Sequence, residues 1–231
     1  MSLRLSLVAA LVVLGANSVG AAQAYLREPA EIRVVGEVAE GETVPVVVFL
    51  PATGGTSEWL FDTTAHLMPI DAFVAVLPQG RPRRSDYLPR FGAFIDAFQE
   101  RLLPDVERAI TNFPGDRDAV HLMGFSLGGD LAWALLMRHP EVFVAGLMMG
   151  ARCSHRVPRA TIETLRARGG RTVFAMGESD SAVRVRGIER SYERMQDAQI
   201  PASLSRYPGA HRAPPEDIMR ELLGALLLQQ D

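Results

Sequence analysis

The 231-residue chain contains no lysine, and all 24 of its basic residues are arginine. A codon bias toward arginine accounts for this without any function. The absence still excludes chemistry. A G-x-x-x-x-G-K-[ST] phosphate loop needs its lysine ammonium, and Schiff-base catalysis needs a lysine amine. There is one cysteine, Cys153, so no disulfide can close within the chain. No cysteine-based zinc site can be assembled either. The H-E-x-x-H motif is missing, and the histidines (His66, His121, His139, His155 and His211) are scattered rather than paired at metal-ligand spacing. No metal or organic cofactor is therefore expected. The net charge is −3, with no long run of one sign. Nucleic acid is not an expected partner.

What is present is the balance of an ordinary globular chain, 48% apolar and 22% charged. Met1–Ala24 reads as a secretory leader. Arg4 supplies a positive charge, Leu5–Leu14 is an uncharged apolar run, and Ala22-Gln23-Ala24 is a small-x-small cleavage site. A run of about ten residues is half of what a bilayer-spanning helix needs. The expectation is an exported protein, periplasmic or secreted, that begins near Tyr25 and has no stable membrane insertion once the leader is removed.

The rest, 25–231, reads as one domain. Strands are expected at Glu31 to Gly36, Thr43 to Leu50, Ala72 to Leu77, Ala119 to Met123, Val142 to Met149, Arg171 to Met176 and Ala202 to Tyr207. Helical spacing falls between them, at Ser57 to Met68 with Ser57 as N-cap, and at Phe91 to Phe113, where Pro104 should kink or restart the helix. Further helices are expected at Leu131 to Arg138, Ile162 to Arg168, Ala182 to Gln199 and Pro215 to Gln230. Gln79 to Tyr87 is polar and arginine-rich, and reads as a loop. Strands written as continuous apolar runs are covered on both faces. The alternation predicts an α/β fold, a mostly parallel central sheet with helices on both faces.

The sharpest motif is Gly124-Phe125-Ser126-Leu127-Gly128-Gly129. Composition alone yields G-x-S-x-G roughly 0.1 times in such a chain, so context must carry the argument. Here a strand runs straight into the motif and a helix leaves it, which is the setting of a nucleophile elbow. A serine hydroxyl needs a base, and the base an orienting acid. Both follow in the chain order Ser, Asp/Glu, His. Glu178 and Asp180 stand just past one strand, and His211 just past the last. All three positions belong to the sheet edge where open α/β sheets build their sites.

The chain resembles the α/β-hydrolase superfamily, in particular its small carboxylesterase/phospholipase and dienelactone-hydrolase-like branch. The likeness rests on G-F-S-x-G-G at Gly124–Gly129, G-x-x-D-x-x-V at Gly177, Asp180 and Val183, Y-x-G-x-H at Tyr207, Gly209 and His211, and R-H-P at Arg138-His139-Pro140. The resemblance implies Ser126 as nucleophile, His211 as base and Asp180, rather than Glu178, as the acid. It implies an oxyanion hole from the backbone N–H of Leu127 and of the loop after an early strand, where Thr53 aligns with the donor residue. Pro51 and Ala52 depart from the family's L-H-G-x-G-G there, which leaves Ala52 beside Thr53 as the donor.

The expected activity is hydrolysis of a carboxylic ester or thioester of a small or chain-end substrate through an acyl-enzyme on Ser126. The same groups would serve a poly(hydroxyalkanoate) or feruloyl-type esterase, or an acyltransferase. A reading of another class is a secreted binding protein on a hydrolase scaffold, which the irregular Pro51-Ala52 favours. His121 reads as a sheet residue. Cys153-Ser154-His155 reads as a loop able to line the pocket, with a reduced thiol. Trp59 and Phe125 suit either an acyl pocket or packing, and Arg81, Arg83 and Arg84 a solvated loop face.

Overall fold

The computed structural model describes residues 28–88 and 90–228. The expected leader, Met1–Ala24, lies outside the described residues. The strands are β1 (Glu31–Val35), β2 (Val44–Leu50), β3 (Phe73–Leu77), β4 (Gly115–Phe125), β5 (Ala145–Met149), β6 (Arg171–Gly177) and β7 (Ala202–Tyr207). The helices are α1 (Ser57–Thr64), α2 (Arg84–Tyr87), α3 (Phe91–Thr111), α4 (Leu127–Arg138), α5 (Arg159–Ala167), α6 (Ala182–Asp197) and α7 (Glu216–Leu227).

The seven strands form one sheet in the order β1-β3-β2-β4-β5-β6-β7. Only β1 runs antiparallel, against β3. From β2 the chain steps outward to β3, then returns across β2 to β4, and every later strand adds on that side. The order reverses at β2 and β4, the switch point past whose carboxyl ends open α/β sheets build their sites. The register Leu50↔Gly124 brings both strand ends to the same level.

The apolar run of β2 explains the two layers. Val46, Val48 and Leu50 point into one layer with α3, α4, α5 and α6. Val47 and Phe49 point into the other with α1 and α7. All five are fully buried, each worth about 1.5–3 kcal/mol on the usual scale for a large aliphatic or aromatic side chain. Trp133 of α4 is buried too, and its indole N–H donates to the His155 carbonyl at 2.9 Å.

Local differences from expectation have physical causes. Thr56, not Ser57, caps α1, accepting the Trp59 N–H at 3.2 Å. Ser57 is buried and donates to the Pro78 carbonyl at 2.9 Å. α3 continues through Pro104 without restarting. Pro104 and Glu100, whose carbonyl loses its partner, both lie on the exposed face, where water can replace the bond. Arg84–Tyr87 forms one helical turn inside the expected loop. β4 begins four residues early at Gly115, because irregular pairing with Val44 draws a polar stretch into the sheet. β5 starts only at Ala145, because the Val142 and Phe143 N–H groups both turn back to the His139 carbonyl.

Candidate active site

β4 ends at Phe125 and α4 begins at Leu127, so the turn is a single residue. That residue, Ser126, has φ 57° and ψ −112°, a conformation costing on the order of 1–3 kcal/mol for a non-glycine. The surroundings enforce it. The Ser126 N–H donates to the Met149 carbonyl at 2.8 Å, and its carbonyl accepts the Asp130 N–H at 3.0 Å. A side chain on Gly124 would strike the Gly128 backbone, and one on Gly128 the Leu50 carbonyl. The motif glycines thus let strand, helix and the neighbouring strand end close on one another.

His211 arrives on the loop after β7. Its Nε2 lies 2.8 Å from Ser126 Oγ, and its Nδ1 lies 2.7 Å from Asp180 Oδ2. A carboxylate only accepts, so Nδ1 carries the proton and Nε2 is left to accept the serine hydroxyl hydrogen. The Asp180 side chain is 2% exposed. Its Oδ1 accepts the Ser181 N–H at 2.6 Å. Glu178 is exposed and meets the His211 loop only through its backbone N–H, bonded to the Tyr207 carbonyl at 2.9 Å. The acid bonded to the imidazole is therefore Asp180.

Three contacts aim the imidazole. Phe125 stacks on it with centroids 4.8 Å apart and planes at 27°. Gly150, at φ +54°, lies so close that an added Cβ would sit 3.2 Å from the ring. The Tyr207 hydroxyl donates to the Arg212 carbonyl at 2.7 Å, clasping the loop on both sides of His211. Burial, with the nearby Asp180 charge, pushes the Tyr207 phenol up to about 12.

Leu127 is the first residue of α4, so its N–H has no partner within the helix. Thr53 stands in the loop after β2, its hydroxyl 2.9 Å from that of Tyr87. The Gly54 N–H donates to the Pro82 carbonyl at 2.7 Å, and the Gly55 N–H to the Ala52 carbonyl at 3.0 Å. The loop is therefore fixed beside the turn that holds Ser126.

Sequence reading missed Asp130, an acid in the first turn of a helix whose only other charge is Arg138 in its last turn. It is buried, and its Oδ1 accepts the N–H groups of Arg152 and Cys153 at 2.7 and 3.1 Å. Burial pushes its carboxyl above the usual range. The bond holds the β5–α5 loop next to Gly150. Its only sequence signal was a charge among apolar neighbours, GGDLAWALL. The Cys153 thiol is 4% exposed, and burial raises it well above its ordinary value. Trp59 is 46% exposed and so packs little. His121 is buried in mid-strand, and burial lowers its imidazole to about 3. Among the described residues, no group of three or more His, Cys, Asp or Glu could hold a metal ion, and no helix is long and apolar enough to cross a membrane.

A hydroxyl, imidazole and carboxylate in series can move the hydroxyl proton onto the imidazole while the carboxylate stabilises the cation formed. Residues 32–215 match the dienelactone hydrolase family. The chain belongs to that family. The dienelactone hydrolase family protein is thus a hydrolase on the α/β-hydrolase fold. No curated protein matches its sequence. Its fold is similar to the Bacillus cereus carboxylesterase, at TM-score 0.64 and 15% identity, over 84% of this chain and 93% of that one. It is similar also to the esterase PE8, at TM-score 0.61 and 21% identity, over 87% and 100%. A third neighbour is the fluorophosphonate-binding serine hydrolase F of Staphylococcus aureus, at TM-score 0.58 and 9% identity, over 87% and 100%. At such identities the likeness speaks for the fold.

Proposed function

We propose that this family member is an exported serine hydrolase that cleaves a carboxylic ester or thioester of a small or chain-end substrate. One observation carries the reading. The hydroxyl of a serine held at positive φ is joined through His211 to a buried carboxylate, at 2.8 and 2.7 Å.

The mechanism follows from those contacts. His211 Nε2 takes the Ser126 proton as Oγ attacks the carbonyl carbon. The negative oxygen of the tetrahedral intermediate is met by the backbone N–H groups of Leu127 and Thr53, the loss of one such donor costing about 10²–10³ in rate. Collapse expels the alcohol or thiol, which takes its proton from His211 and leaves an acyl-Ser126 ester. Water, deprotonated by the same imidazole, attacks that ester and releases the acid and the free serine. Asp180 holds the Nδ1 proton in place and stabilises the imidazolium. That three fold neighbours are a carboxylesterase, an esterase and a fluorophosphonate-binding serine hydrolase supports the reading.

Purified protein should take one fluorophosphonate label on Ser126 and hydrolyse a series of aryl esters, short acyl chains fastest. Ser126→Ala should abolish labelling and lower kcat by about 10⁶. Unlabelled, inactive wild type would leave the non-catalytic scaffold reading. Export rests on the Met1–Ala24 pattern. N-terminal sequencing of the protein recovered outside the cytoplasm should begin near Tyr25.

A further inference from the structure

Charge is divided between the two edges of the sheet. The connections leaving the carboxyl ends of the strands carry Arg81, Arg83, Arg84, Arg152, Arg156 and Arg212. The acids there are Asp86, Glu178 and Asp180, the last bonded to His211, and the first turns of the following helices add Glu58, Glu216 and Asp217 against Arg159 and Arg184. Among the described residues, none of those six arginines has a carboxylate within 4.0 Å, whereas Arg33, Arg117, Arg138 and Arg206 elsewhere do. The opposite edge exposes Glu37, Glu40, Glu42, Asp71, Asp118 and Glu141 against Arg117 and Arg168. In a chain of net charge −3, arginines outnumber acids at the edge that holds Ser126, and Asp180 and Glu58 among those acids are already paired with His211 and Arg33.

The same edge carries exposed apolar side chains. Trp59 in the first turn of α1 is 46% exposed, Leu88 between α2 and α3 is 44%, and Val183 in the first turn of α6 is 53%. Of the exposed large hydrophobic residues described, only Val34 and Leu228 lie elsewhere. The arginine-bearing segment is tied to the loop beside Ser126 by the Thr53–Tyr87 and Gly54–Pro82 bonds, so these groups share one surface.

Arginines around protruding aromatic and aliphatic tips suit the headgroup layer of a lipid surface. The tips enter the apolar boundary while the guanidinium ions meet phosphates, an attraction that fades over a Debye length of about 8 Å at physiological salt. We propose that the carboxyl edge of the sheet is a docking face for an anionic lipid surface. Docked this way, Ser126 Oγ faces the headgroups, and an ester at that level reaches it directly. Docking needs no chemistry at Ser126, so its failure is separable from that of the hydrolase reading.

Co-sedimentation with vesicles tests it. Wild type and Ser126→Ala should bind vesicles of equal parts phosphatidylglycerol and phosphatidylcholine alike. Pure phosphatidylcholine should bind at least about tenfold less, and about 0.5 M salt should release the protein. Arg83→Glu/Arg84→Glu should cut partitioning at least about tenfold, and Leu88→Ser by a smaller factor. Both should hydrolyse a soluble neutral aryl ester within about twofold of wild type. Absent binding to anionic vesicles, equal binding to neutral ones, or undiminished binding of the charge-reversed protein overturns the proposal. If vesicles are ignored while the same arginines favour anionic over neutral soluble esters, the face serves a small anionic substrate and the docking surface is discarded.

Discussion

Two histidines, one past the edge of the sheet and one inside it, show what makes an imidazole usable. His211 stands on a loop past the carboxyl edge, its side chain 33% exposed and both ring nitrogens bonded to side chains. His121 sits in β4 between Val47 and Ala145, 3% exposed, with Nδ1 unpartnered. Inside the sheet the positions paired with His121 on the neighbouring strands are Val47 and Ala145, whose side chains offer the ring no hydrogen bond. Beyond the edge, loops from β4, β6 and β7 each deliver a group. The difference lies in position in the fold rather than in residue type.

The largest break in that comparison comes from the carboxylate. Asp180→Asn keeps the shape but offers Nδ1 an amide that donates, which favours the wrong tautomer. A drop in kcat of about 10⁴ is expected, measured with a soluble aryl ester. Glu178→Gln, two residues away and exposed, should stay within about twofold. Comparable losses in the two variants would remove Asp180 from the assigned role.

The next largest effect belongs to His121. Its imidazole is lowered to about 3 by burial first and the Arg171 charge second. Unfolded, it takes a proton near 6.5, which the folded state refuses. This contribution is whole above pH 6.5 and declines as pH falls toward 3, by about 5 kcal/mol at most. Urea melts of His121→Met should therefore lose less stability than wild type between pH 6.5 and about 4. Parallel acid limbs would mean that His121 titrates normally in the fold.

These two cases also mark what the sequence made legible. The strands of the parallel core could be read because Val46–Leu50 and Phe73–Leu77 are apolar without interruption, a pattern that only a doubly covered strand produces. Ser126 and His211 could be placed because each directly follows a strand. The carboxylate was ambiguous on spacing alone, since Glu178 and Asp180 occupy the same loop; burial of one and exposure of the other is a property of the folded loop. Asp130 went unread because its partners are backbone N–H groups of Arg152 and Cys153, which leave no mark in composition. The start of β4 was hidden for a similar reason, since Asp116-Arg117-Asp118 look like a turn and are held in the sheet by backbone pairing.

The smallest effect sharpens the comparison from the side of His211. Its loop is short, and two side-chain bonds span it, from the Tyr207 hydroxyl to the Arg212 carbonyl and from the Arg212 guanidinium to the Pro208 carbonyl. Tyr207→Phe leaves the buried ring in place and strands that carbonyl, costing about 1 kcal/mol. If the bond aims the imidazole, kcat should fall roughly threefold to tenfold with KM unchanged, since small misplacements of a catalytic group are felt in rate. The pH dependence separates this from general weakening. The phenol ionises near 10 when unfolded and is raised to about 12 in the fold. Its contribution is complete below pH 10 and is lost as pH rises toward 12, so wild-type melts should decline across that window more steeply than those of the variant. A variant with unaltered kcat but the same flattened alkaline limb would show that the loop holds His211 without the clasp, leaving Phe125 and Gly150 to aim it.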